Sequence, residues 1–147
     1  MDKLRALLLF FIEKFPRPLN RTELVKLVYL TDVQHYKVCG RSLTGLTFRR
    51  GLYGPYCEEI PRAIRALGSE GLIGIEEWKN IHGGITYIHS LLPQGTHDLW
   101  QLGIDEERAA YFVLAQTQHL SFTAIKDRCV MRWLRRQLQA GPPWGRC

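Results

Sequence analysis

The sequence predicts a mainly α protein: a single compact helical domain of about five helices around a central helix, with a small β-hairpin and a winged-helix-like order of elements. Three observations predict it. Residues 20–40, NRTELVKLVYLTDVQHYKVCG, carry helix signals at both ends and apolar side chains around most of the circumference, the pattern of a helix packed on several sides. Four further stretches repeat apolar residues at three- and four-residue steps. One pair of β-prone runs is joined by a turn ending in Gly83-Gly84, a strong hairpin signal. The 147 residues are enough for one buried core, and 46% hydrophobic with 23% charged residues is ordinary for a globular chain.

Asp2 caps a first helix reaching about Phe15, with Leu4, Leu7, Leu8, Phe11 and Phe15 on its inward face; Pro16 and Pro18 end it. Asn20 and Glu23 form a capping box for the central helix, and Gly40 offers a left-handed stop. Leu46 and Phe48 alternate with Thr47 and Arg49, which reads as a short extended segment. Gly51 to Pro55 is a turn, with Pro55 at the first position of a third helix running to about Ser69. Pro61 then implies either a kink or a start nearer Glu58. The hairpin strands fall at about residues 72–78 and 85–91, followed by a loop over residues 93–103. Asp105 caps a fourth helix whose inward face is Ala110, Val113, Leu114 and Thr117. Ser121 or Thr123 caps a fifth, with Ile125, Cys129, Trp133 and Arg136 along one side and Val130, Leu134 and Leu138 broadening it. The domain is expected over residues 1–140, and residues 141–147 form a loose tail unless Trp144 docks.

Composition narrows the function classes. No segment approaches the roughly 20 apolar residues of a membrane span. The apolar LRALLLFFI is followed by Glu13, Lys14 and Pro16 instead of a small-residue cleavage site, so a cytoplasmic protein is expected. The four cysteines are scattered and read as reduced thiols, the five histidines are scattered too, and no metal site or cofactor is implied. The net charge of +6 suits a nucleic acid, an acidic protein partner, or neither.

Four groups of residues invite a functional reading. Lys26, between Val25 and Leu27, is either a partner-contacting or site-organising cation, or a snorkelling side chain paired with Glu23 or another acid. Asp32, His35 and Tyr36 could be acid–base machinery. They lack a nucleophile or oxyanion element beside them, which favours a structural hydrogen bond. Tyr53-Gly54-Pro55 is turn chemistry and also a candidate binding loop. Lys126, Arg128, Arg132, Arg135 and Arg136 concentrate positive charge late in the chain. Arg128, Arg132 and Arg135 share a helix face, which is a solvated surface, a dock for an acidic partner, or a nucleic-acid patch. Trp133 beside them is core or an interface anchor. The hairpin and a helix bearing Arg62 and Arg65 could read DNA as a wing and recognition helix, but Glu58, Glu59, Glu70, Glu76 and Glu77 surround them.

Leu24, Lys26, Leu27, Tyr29, Leu30 and Asp32 spell L-x-K-L-x-Y-L-x-D. Gly40-Arg41-Ser42-Leu43-Thr44-Gly45-Leu46 and then Tyr53-Gly54-Pro55 follow in order. This set resembles the Panacea, or SocA-like, domain. The likeness is sharpest over residues 19–60 and continues through Gly71-Leu72-Ile73 and the hairpin. The resemblance implies a mainly helical domain of bacteria, phages or mobile elements that acts as an antitoxin, binding directly to a cognate toxin protein encoded beside it. One family member serves as a proteolytic adaptor, so a cellular protease is a further implied partner. The resemblance implies no enzymatic chemistry. The chain carries no added helix-turn-helix module, which weakens the expectation that it represses its own operon. Partner contacts are accordingly expected at Lys26, at Tyr53, Gly54 and Pro55, and at Arg128, Arg132 and Arg135.

Overall fold

The computed structural model describes residues 2–52, 54–95 and 101–138, and the backbone alone at residues 95 and 136–138. Helix starts are set by side chains that replace missing intrahelical acceptors. Asp2 accepts the Arg5 N–H at 2.9 Å and opens α1, Lys3–Lys14. Asn20 accepts the Glu23 N–H at 2.8 Å, while the Glu23 carboxylate accepts the Asn20 N–H at 3.1 Å. This capping box opens α2, Arg21–Cys39, and Gly40 closes it at φ +78°. Between the two helices, β1 (Leu19–Asn20) is a two-residue strand.

Residues 41–48 follow as a loop whose Leu43, Leu46 and Phe48 are buried. The expected alternation of Leu46 and Phe48 is present, although regular strand begins only at β2, Arg49–Gly51. β2 pairs with β3, Gly54–Tyr56, in a two-stranded antiparallel ribbon that places Arg50 opposite Pro55. Pro55 is therefore a strand residue and not the start of the third helix, because its flanking backbone is committed to the ribbon. That helix, α3, is Glu59–Ser69. Pro61 sits in its first turn, where a missing N–H removes no intrahelical bond.

The hairpin strands β4 (Ile73–Lys79) and β5 (Ile85–Leu91) pair with Ile73 opposite Leu91 and Lys79 opposite Ile85. β1 adds to the other side of β5, giving an antiparallel sheet of order β1-β5-β4. After a short 3-10 turn at Pro93–Gly95, α4 spans Ile104–Thr117 and α5 spans Phe122–Leu138. Gly103, not Asp105, is the α4 cap residue: the Glu106 side chain turns back to accept the Gly103 N–H at 2.7 Å, which starts the helix earlier. Ser121 caps α5 by accepting the Ala124 N–H at 3.2 Å.

α2 touches α1, α3, α4 and α5 as well as β1, β3 and β5, as expected of a central element. α1 is enclosed almost as fully. Leu9 and Phe10 are buried beside Leu7, Leu8 and Phe11, so its apolar surface goes all the way round and not along one face. The cause is packing on α2, α3, α4 and β5 at once. Tyr29 lies edge-on to Phe48 at 5.2 Å and to Trp133 at 5.9 Å between ring centroids. Ile125, Cys129 and Trp133 are the buried side of α5, whereas Leu134 is half exposed, on a flank of the helix turned away from the core formed by the described residues. Trp133 is thus a core residue. Arg136 and Leu138 side chains, and residues 141–147 with Trp144, lie outside the described residues.

Candidate functional site

Lys26 is the least ordinary side chain in the fold. Its residue is only 2% exposed, and its ammonium donates to the Pro55 carbonyl at 2.7 Å. It neither snorkels nor pairs with Glu23. Glu23 is taken by the Arg17 guanidinium at 2.5 Å, and Arg17 also donates to the Leu120 carbonyl at 3.0 Å. Burial holds the Lys26 ammonium below its usual pKa, and a charged Cys129 would act the other way, more weakly. Burial also pushes the Cys129 thiol up to about 12, so it stays protonated and supplies no counter-charge at neutral pH.

The β2–β3 ribbon brings Gly54 and Pro55 against this lysine. Gly54 adopts φ +103°, and a Cβ there would lie 3.0 Å from Val130 Cγ2 and 3.9 Å from Lys26 Nζ. Glycine is therefore required both by the backbone and by the approach of α5. Lys26, Gly54 and Pro55 are brought together; Tyr53 lies outside the described residues. Beside them opens a cleft of about 300 Å³ lined by Arg21, Thr22, Val25, Lys26, Gly51, Leu52, Gly54 and Tyr56.

Asp32 and His35 face the other end of α2 and do different work from acid–base chemistry. The Asp32 carboxylate accepts the N–H groups of Leu43 and Thr44, each at 2.9 Å, and the Thr44 hydroxyl at 2.5 Å. His35 Nδ1 lies 2.7 Å from the Arg41 carbonyl oxygen. Together they hold the loop after α2 so that Leu43 and Leu46 can enter the core. Burial raises the Asp32 carboxyl from 3.8 to about 6; its hydrogen bonds to Thr44 and Leu43 and the nearby His35 oppose the rise without cancelling it.

The three arginines of α5 do not form one uniform surface. Arg128 donates to the Gln116 carbonyl at 2.9 Å, so it caps the last turn of α4. Arg132 is half-buried beside it, and both line a shallow groove with Leu30, Gln34 and Phe112. Arg135 is exposed. Phe112 is shared with a second, open depression on the outer face of α4 lined by Ile104, Glu107, Arg108 and Tyr111; Ile104, Tyr111 and Phe112 are 74%, 42% and 44% exposed. These apolar residues were not singled out from sequence. The available signal was that they fall outside the inward set of Ala110, Val113, Leu114 and Thr117.

A family model for the antitoxin SocA-like Panacea domain matches residues 24–133. The chain belongs to this family. The matched span runs from α2 to α5 and contains the Lys26–Pro55 contact, the Asp32 loop and the α4–α5 groove. None of the curated proteins compared with the chain matches it. The Panacea family is antitoxin-like and is not a known enzyme family. Among the described residues, no helix is long and apolar enough to cross a membrane.

Proposed function

We propose that this Panacea-domain protein is an antitoxin that neutralises a cognate toxin by stoichiometric, direct binding. The observation that carries the reading is the family match over residues 24–133. The chemistry of the interior supports it. Lys26, Asp32 and His35, the buried groups best suited to proton transfer, are each bonded to main-chain atoms of this fold. The surface supports it too. Exposed Phe112 shares a groove with Arg128 and Arg132 and so combines an aromatic anchor with positive charge, the composition favoured at binding hot spots. An acidic toxin surface with an apolar centre fits that face, and residues 1–140 suffice as the binding unit. The same binding would serve an adaptor that hands the toxin to a cellular protease.

Co-expression with the adjacent open reading frame tests the proposal. Growth rescue, together with co-elution of both proteins in gel filtration, is expected; rescue that persists in a protease-deficient host would assign neutralisation to binding alone. A toxin that remains toxic and elutes separately would refute the reading.

A second reading, a winged-helix regulator that binds DNA, is favoured by one observation: the element order is α1-β1-α2-β2-β3-α3-β4-β5 with sheet order β1-β5-β4, and with the separate β2–β3 ribbon set aside this is the order that a three-helix core with a wing would take. Its test is a binding curve on duplex DNA, whose affinity should fall steeply with salt.

A further inference from the structure

We propose that the cleft between the first two turns of α2 and the β2–β3 ribbon binds a small phosphorylated ligand of about mononucleotide size, with Lys26 and Arg21 holding its phosphate. This goes beyond toxin binding and does not depend on it.

The argument starts from the hydrogen-bond capacity of the cleft. An ammonium has three donors, and the Lys26 ammonium spends one on Pro55, with no carboxylate within ion-pair distance among the described residues. A buried charge with unfilled donors is normally unfavourable, and an oxyanion in the adjoining cleft would supply both acceptors and counter-charge. Arg21 stands at the rim, exposed, and its side chain forms no ion pair with any described residue. Its planar guanidinium can hold a phosphate bidentately, while lysine acts as a point charge. Thr22 adds a hydroxyl to the same lining.

The remaining walls suit the organic part of such a ligand. Val25 and Leu52 are apolar, Leu52 is 88% exposed at the mouth, and the Tyr56 side chain forms a side wall. The Tyr56 hydroxyl already donates to Glu58 at 3.0 Å, so Tyr56 contributes its ring and not a donor. Gly51 and Gly54 make the opposite wall from bare backbone, and a Cβ at position 51 would lie 2.8 Å from Tyr56 Cβ. A volume of about 300 Å³ lies at the small end of ligand pockets.

The test uses the full-length protein in thermal-shift and calorimetric titrations with inorganic phosphate, AMP, adenosine and a 5′-phosphorylated oligonucleotide. AMP should raise Tm with concentration and bind saturably, phosphate should compete with it, and adenosine should do neither. Arg21→Gln, an exposed change that spares the fold, should weaken AMP by about tenfold or more, the scale of one charge-assisted bond. Lys26→Met should abolish binding; should that variant not fold, Arg21→Gln with the competition data still decides. Absence of AMP binding at millimolar concentration would overturn the proposal. So would AMP affinity unchanged in Arg21→Gln. Binding of the oligonucleotide without AMP would overturn it in favour of a nucleic-acid end.

Discussion

Asp32 is the sharpest test of how the family's motif works, because its two isosteric and truncating replacements should behave differently. Asp32→Ala leaves the Leu43 and Thr44 N–H groups and the Thr44 hydroxyl without their acceptor at a fully buried site. A stranded buried donor costs about 1–3 kcal/mol. Asp32→Asn keeps one oxygen for the two N–H groups, and its amide can donate to the Thr44 oxygen. Alanine should therefore be less stable than asparagine by about 2–5 kcal/mol. Asparagine also removes a buried charge. Displacement of the carboxyl from 3.8 to about 6 corresponds to about 3 kcal/mol of unfavourable burial at neutral pH. The folded carboxyl keeps its proton to higher pH than the unfolded chain. Its stabilisation is thus full below about pH 3.8 and is lost as pH rises through about 6. Urea unfolding followed by tryptophan fluorescence, at steps between about pH 4 and pH 7, should show Asp32→Asn gaining on the wild type across that window. Equal stability of the alanine and asparagine variants, or a wild-type-minus-asparagine difference that does not change with pH, would refute the account of Asp32 as a buried loop anchor.

Leu27→Ala should cost about 2–5 kcal/mol in chemical denaturation, since Leu27 is fully buried at the middle of α2. Gly54→Ala should lower stability by at least about 1–2 kcal/mol from its positive φ alone, with the 3.0 Å approach to Val130 adding to it; a neutral result would mean that the ribbon shifts freely. Reversing the exposed Arg135 to Glu should leave thermal stability nearly unchanged. It should also slow toxin association, with the loss shrinking as salt rises; an unchanged association rate would send the search for the toxin surface to the Gly54-Pro55 side. Arg128→Ala, by contrast, should reduce stability by about 0.5–1.5 kcal/mol by uncapping α4, read from the shift in Tm.

Sequence alone determined the parts of this protein that are settled within a few residues. The capping box of Asn20 and Glu23, the Gly40 stop, the hairpin around Gly83-Gly84 and the inward face of α4 all depend on bonds or contacts spanning about one helical turn or one tight turn. The ordered motif that names the family is legible for the same reason, as its spacing is printed in the chain. Tertiary structure alone decided who meets whom. Lys26 finds Pro55 across 29 residues, Arg128 finds Gln116 across 12, and Leu19 pairs with His89 across 70. Pro55 looked like a helix start because proline suits that position locally, and only the pairing of β2 with β3 made it a strand residue. Leu134, Tyr111 and Phe112 are apolar in the sequence just as core residues are; that each is left partly in solvent follows only from how the helices pack on one another. Local hydrogen bonding selects the elements, whereas the burial of a charge or the exposure of an aromatic ring follows from how those elements close on one another.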